Sequence, residues 1–171
     1  LGASNATVNM YGLCTGDFNR SFNPALKSSA STTLDLVYSE TWQMSSNQEF
    51  ELPIKIINET SVGAVSLILE YPSKYVEILD VSMTGAGGML DWSAWGNELR
   101  IGWNSMNPLS LAANTELLTL KLKTTDAFIK GNAIKLSLAP DPLNELADEL
   151  FNVIGNAVLS VDVIEAISTL G

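Results

Sequence analysis

The chain has 171 residues, 46% of them hydrophobic, which suits one packed domain and argues against wholesale disorder. Nine Lys and Arg stand against 19 Asp and Glu, a net charge of −10, so phosphate backbones and anionic lipid surfaces are poor partners. There is no histidine and one cysteine, which excludes Ser-His and Cys-His nucleophile pairs, His- or Cys-built zinc sites and any intrachain disulfide.

Residues 1–31 are rich in Ser, Thr, Asn and Ala without an apolar period, and read as an extended arm or linker. The opening LGASNATVN lacks the basic start and apolar middle of a signal peptide, as a mature chain would. Cys14 reads as a plain free thiol, because Leu13 stands where a lipid-anchor motif needs a small residue. In GDFNRSFNP, Asp17, Asn19 and Ser21 alternate as in the front half of a calcium loop. The back half is missing: position 28 is Ser and no glycine occupies the turn, so calcium here is a weak expectation beside an ordinary Asn/Ser turn.

From Leu34 the pattern changes to short runs of period two. Leu34, Leu36 and Tyr38 alternate, then Phe50, Leu52, Ile54 and Ile56, then Val65, Leu67, Leu69 and Tyr71, then Val76, Ile78 and Val81. Leu118, Leu120 and Leu122 follow, with Ile134, Leu136 and Leu138, and finally Leu159, Val161 and Val163. Period two buries one face of each run and wets the other. About nine such runs, separated by Gly, Pro, Asn and Ser, predict an all-β, two-sheet antiparallel sandwich of jelly-roll type over residues 32–164. The longest apolar stretch, near Val62–Leu69, is too short to span a bilayer. Trp42 falls in a polar stretch, SETWQMSSNQ, expected to be a turn, where it could contact a ligand or plug the rim of the sandwich. Asn5-Ala6-Thr7 and Asn58-Glu59-Thr60 match the N-glycosylation pattern, which short sequences also meet by chance.

The segment Leu90–Trp103, LDWSAWGNELRIGW, is the most informative. Gly96-Asn97 predicts a two-residue hairpin turn. That register sets Trp95 opposite Glu98, Ser93 opposite Arg100 and Trp92 opposite Ile101. Leu90, Trp92, Ala94, Leu99, Ile101 and Trp103 then share the core side, and Asp91, Ser93, Trp95, Glu98 and Arg100 the outer side. Trp95 is a large aromatic on a polar face. It could stack on a sugar, anchor a protein partner or merely cover the Arg100 stem.

In DPLNELADEL, Leu143, Leu146, Ala147 and Leu150 are spaced for one helical face, Asp141 can cap it and Pro142 suits its first position. A short helical turn is expected near 142–150. The closing residues 165–171 read as the start of a truncated linker. Glu49 and Glu51 sit on the wet side of a strand, and no pair of carboxylates declares the cleft a glycosidase needs.

Three segments resemble the cohesin family. VGAVSLILEYPSKYVEILDVSM, from Val62 to Met83, is similar to its central strand pair. NELRIGWNSMNPLSLAANTELLTLKLKT, from Asn97 to Thr124, is similar to the strand, loop and long strand that follow. DPLNELADELFNVIGNAVLSVDV resembles the closing acidic loop and last strand. Cellulose-binding carbohydrate modules share this architecture, and GDFNRSFNP also resembles the truncated start of a dockerin-like calcium repeat. The resemblance covers about residues 34–164 and implies a nine-stranded jelly roll. It also implies a secreted or cell-surface module of a multi-modular bacterial protein, without catalysis. Such a module engages a dockerin-like or other protein partner through a flat sheet face, here the one with Trp95, Glu98 and Arg100. The competing expectations are a polysaccharide-binding module and a structural spacer. Sugar binding calls for two or three coplanar aromatics, to which only Trp95, with Trp42 or Tyr75, could contribute.

Overall fold

The computed structural model describes residues 33–85 and 87–167. Cys14, the Asn5 sequon and the calcium candidates Asp17, Asn19 and Ser21 lie outside them, with the rest of the expected arm.

The strands are β1 (Asp35–Met44), β2 (Glu49–Ile56), β3 (Thr60–Glu70), β4 (Val76–Met83), β5 (Met89–Trp95) and β6 (Glu98–Leu111). They continue with β7 (Thr115–Thr124), β8 (Ala133–Ile134), β9 (Ser137–Leu138), β10 (Glu145–Ala147) and β11 (Val158–Ala166). Two sheets form, β1-β11-β2-β7-β4 with β8 on β11, and β10-β3-β6-β5 with β9 on β3. The all-β sandwich is as expected; eight longer strands are joined by three short ones, β8, β9 and β10, of two or three residues each.

Alternation places the core. On β2, Phe50, Leu52 and Ile54 stand opposite Leu122, Leu120 and Leu118 of β7. On β3, Val65, Leu67 and Leu69 stand opposite Trp103, Ile101 and Leu99 of β6. All twelve are buried in one continuous core between the sheets. Each such side chain contributes roughly 1.5–3 kcal/mol by leaving water.

Three expectations need correction. First, the sandwich is not wholly antiparallel: β1 pairs with β11 in parallel. The last strand inserts between β1 and β2 and pairs antiparallel to β2. Because β1 and β2 run in opposite directions along consecutive strands, β11 must then run parallel to β1. Second, the sandwich does not stop at residue 164. Glu165 and Ala166 pair with Gln43 and Met44, and the Ile167 amide donates to the Met44 carbonyl at 2.9 Å. Third, no helix occurs among the described residues, so the helical turn expected near 142–150 is absent. Asp141 does accept the Leu143 amide at 2.8 Å, as a cap would. The chain then extends as β10, with Glu145, Leu146 and Ala147 opposite Ser66, Val65 and Ala64. Pairing with the open edge of β3 satisfies backbone groups and buries Leu146, while Leu143 and Leu150, expected on the buried helical face, stay exposed. Asp148 ends the strand by accepting the amides of Leu150 and Asn152, each at 2.8 Å, a local turn that competes with helix.

Candidate functional site

The hairpin β5–β6 has the register read from the sequence: Trp95 opposite Glu98, Ser93 opposite Arg100, Asp91 opposite Gly102 and Trp92 opposite Ile101. Gly96 takes φ +59° and Asn97 does not take a positive φ, the pattern of a turn with glycine at its first central position. The hairpin tip is tied down. The Asn97 carbonyl accepts the Tyr71 amide at 2.8 Å, and its side-chain oxygen accepts the Ser73 hydroxyl at 2.6 Å.

Trp103 is buried, 3% exposed, and its indole N–H donates to the Gly87 carbonyl at 3.3 Å. Trp92 is half-buried and packs on the core. Ala94, on the same side but near the hairpin tip, is exposed. Trp95 is 89% exposed, so it shields little of Arg100 or of anything else. Arg100 Nε instead donates to Glu98 Oε1 at 2.6 Å. Both side chains are exposed, which holds that ion pair to about 0–1 kcal/mol.

Asp91, Ser93, Trp95, Glu98 and Arg100 therefore share one outward face of the five-stranded sheet. Trp42 does not join them. It lies within β1 of the other sheet, opposite Ile164, half-buried and packed on the core. The expected turn begins later, at Ser45, because Trp42 and Met44 continue the alternation that buries one side of β1.

Sequence reasoning passed over several residues of this face. β3 contributes Ala64, Ser66, Ile68 and Glu70, opposite Asn104, Gly102, Arg100 and Glu98. Glu145 of β10 stands opposite Ser66. A shallow depression is lined by Ser66, Ile68, Asp91, Arg100, Gly102 and Leu143. Ile68 faces outward yet is 4% exposed. The segment between β9 and β10 explains its backbone: Ile68 N–H donates to Asn144 Oδ1 at 2.6 Å, and Ile68 C=O accepts the Ala139 amide at 2.9 Å. Asn144 thus fills the gap in the ladder between β9 and β10. The one sequence signal available was Gly102, a glycine inside a strand.

The two outer faces differ. On the six-stranded sheet, Lys121 stands opposite both Glu51 and Asp80, and Lys123 opposite Glu49 and Glu77. On the five-stranded sheet, Glu70, Asp91, Glu98 and Glu145 share the paired strands with Arg100, and Lys135 lines a depression beside Glu70 and Glu98. Exposed large apolar residues occur on both sides: Met89, Trp95 and Met106 on β5 and β6, Val37 and Tyr38 on β1, and Ile129, Leu143, Leu150 and Phe151 in connections.

Two ionisable groups nearby are perturbed. Burial pushes the Tyr71 hydroxyl above its ordinary value, with Glu77 adding to the effect. Asp148 is held below the usual carboxylate range, first by the Asn152 amide, against a desolvation effect that raises it. Among the described residues, no three His, Cys, Asp or Glu side chains gather as a metal site requires.

No protein-family model and no curated protein matches this sequence. Solved structures do. A non-cellulosomal cohesin from the hyperthermophilic archaeon Archaeoglobus fulgidus is similar with TM-score 0.61 and 22% identity, over 79% of this chain and 92% of that one. A type I cohesin–dockerin complex from Clostridium thermocellum is similar with TM-score 0.57 and 16% identity, over 77% and 94%. The sixth cohesin of Acetivibrio cellulolyticus scaffoldin B, in complex with a dockerin, is similar with TM-score 0.59 and 10% identity, over 79% and 100%. With two sheets in this order and these likenesses, the chain has the cohesin-like fold.

Proposed function

We propose that this chain is a non-catalytic binding module of an extracellular or cell-surface protein, and that the outward face of its five-stranded sheet docks a protein partner of dockerin type. Two of the similar structures described above are cohesins in complex with dockerins. The observation that carries the reading is Trp95: a tryptophan 89% exposed on a hairpin whose tip is tied to the Tyr71–Ser73 turn. A large aromatic on a backbone fixed in this way offers apolar area for a partner to cover, with little ordering of the hairpin itself.

A carbohydrate-binding module is the second reading. It is the weaker one, because Trp95 is the one aromatic among the described outward-facing strand residues of this sheet. A sugar platform needs a row of them.

The test is calorimetric titration of the chain with a panel of type I dockerin modules, repeated with Trp95→Ala, beside a glycan array. Loss of an anchor of about 2 kcal/mol weakens binding roughly 30-fold. Stability should move by no more than about 0.5 kcal/mol, since Trp95 is a surface residue. Glycan binding that depends on Trp95, with every dockerin silent, would replace the protein reading by the sugar one.

A further inference from the structure

We infer that Asn58 is an N-glycosylation site: exported past an oligosaccharyltransferase, the chain takes a glycan on the Asn58 amide, at the end of the sandwich away from Trp95. The inference rests on the proposal that the chain is extracellular, and adds a covalent modification that leaves the docking face free.

The motif is Asn58-Glu59-Thr60, with no proline at its middle position. Asn58 stands exposed in the three-residue connection, 57–59, that joins β2 to β3. A bulky, hydrophilic glycan needs such a place, clear of the core and of the strand ladders. The fold itself gives no reason for asparagine here. Asn47, Asn114 and Asn156 take φ of 57°, 59° and 55°, a region asparagine tolerates better than most residues. Asn97, Asn132 and Asn144 use their side chains in hydrogen bonds to Ser73, Tyr75 and Ile68. Asn58 has no positive φ, and among the described residues no hydrogen bond engages its side-chain amide.

The groups that fix this connection come later in the chain. The Ile57 amide donates to the Val158 carbonyl at 2.9 Å, the Ile57 carbonyl accepts the Asn114 amide at 3.3 Å, and Thr60 pairs with Leu111. As the chain emerges from its amino end, the motif is therefore open before its partners exist. Once folded, a shallow depression of about 620 Å³ begins at Glu59, next to Asn58. The Glu59 carboxylate and the Thr60, Ser61 and Ser110 hydroxyls line it and can hydrogen-bond the first sugar. Along β3 the nearest row of the docking face, Ser66 with Gly102 and Asp91, lies six residues beyond Thr60, about 20 Å at the strand rise. Trp95 pairs with Glu98, which stands opposite Glu70 at the far end of β3, about 33 Å from Thr60.

The donor is a polyprenyl-diphosphate-linked oligosaccharide. Asn58 Nδ2 forms a bond to the anomeric carbon, and the bond from that carbon to the diphosphate oxygen breaks with its electron pair. The lipid diphosphate leaves, one amide proton passes to a base of the transferase, and nothing is oxidised or reduced.

The experiment secretes the full chain from a eukaryotic host, with a carboxy-terminal tag bearing an Asn-Ala-Thr acceptor. Glycan removal by an amidase in heavy-oxygen water converts each occupied asparagine to a labelled aspartate, read peptide by peptide in the mass spectrometer. Asn58 should be occupied as fully as the tag, bare in Thr60→Ala and occupied again in Thr60→Ser. The motifs Asn5-Ala6-Thr7 and Asn19-Arg20-Ser21, outside the described residues, are removed as Asn5→Gln and Asn19→Gln for the binding arm. There, a dockerin that binds the Asn58→Gln chain should bind the chain glycosylated at Asn58 within about twofold. An occupied tag beside a bare Asn58, or a glycan at Asn58 that abolishes dockerin binding, would overturn the inference. Asn58 occupied with every dockerin silent would instead remove only the dockerin reading.

Discussion

Replacing Asn144 by alanine tests how the five-stranded sheet is held together at its irregular edge. Asn144 is 9% exposed. Its side chain accepts the Ile68 amide at 2.6 Å and donates to the Ala139 carbonyl at 2.8 Å. Ile68 lies in β3, between the segments that pair with β9 and β10, so neither short strand supplies an acceptor for its N–H. Alanine leaves that buried donor unmatched, which costs about 1–3 kcal/mol, and removes the second bond, worth about 0.5–1.5 kcal/mol. The half-buried Ala139 carbonyl can turn to water, which places the expected loss near 2–3 kcal/mol. That is a large share of a domain stability of roughly 5–15 kcal/mol. Urea unfolding followed by tryptophan fluorescence should show a lower midpoint with an unchanged slope. Leu143→Ala, one residue away but 53% exposed, should lose less than about 1 kcal/mol. If Asn144→Ala unfolds within about 0.5 kcal/mol of wild type, or no earlier than Leu143→Ala, the side-chain plug is not holding the edge.

Further outcomes follow from other positions. Gly88 has φ +84°, and a Cβ there would collide with the Trp103 indole nitrogen and lie 2.7 Å from the Asn104 carbonyl oxygen. Gly88→Ala should therefore cost about 2–4 kcal/mol in urea unfolding, against about 1 kcal/mol for Gly87→Ala, whose φ of +101° meets open space. Phe128 is 1% exposed and its ring lies tilted at 52° to that of Tyr75, centroids 6.4 Å apart, so Phe128→Ala should lose about 3–5 kcal/mol and lower the thermal midpoint accordingly. The depressed Asp148 carboxyl binds fewer protons folded than unfolded over the window below its ordinary value of 3.8. Its contribution is present above that value and fades as pH falls through the depressed one, so thermal midpoints should fall less steeply on acidification in Asp148→Asn than in wild type. An equal slope would show that Asp148 is not coupled to folding.

Much of the sandwich was legible because its signals are local. The alternating runs at 50–56, 65–69 and 118–122 became β2, β3 and β7 with the expected residues inside. The register of β5 on β6 followed from one turn, since a two-residue connection leaves no freedom in pairing. That register alone separated Trp95 from Trp92 and Trp103. The misses share a different cause. Residues 142–150 carry helical spacing and a cap, yet the open edge of β3 outcompetes a short isolated helix, which is marginal in water. Trp42 looked like a turn residue because its neighbours are polar, but β1 is an edge strand and can be polar on its wet side without ending. Phe128 escaped notice because it lies in a connection with no period to reveal burial.

By itself the sequence determined the fold class, the inner faces of β2, β3 and β7 and the outward set of Trp95 with Asp91, Ser93, Glu98 and Arg100, because side-chain alternation and turn chemistry act over a few residues; on β1, where a register shift follows Tyr38, it did not, and Tyr38 stands 45% exposed. Only the tertiary structure decided that β11 slides between β1 and β2, that Asn144 completes a ladder from 76 residues away, and that Glu145, Ser66 and Gly102 fall in one row with Asp91. Those are pairings between strands distant in the chain. They are selected by the joint burial of two sheets and the need to satisfy every buried backbone group, and no local run of residues encodes either.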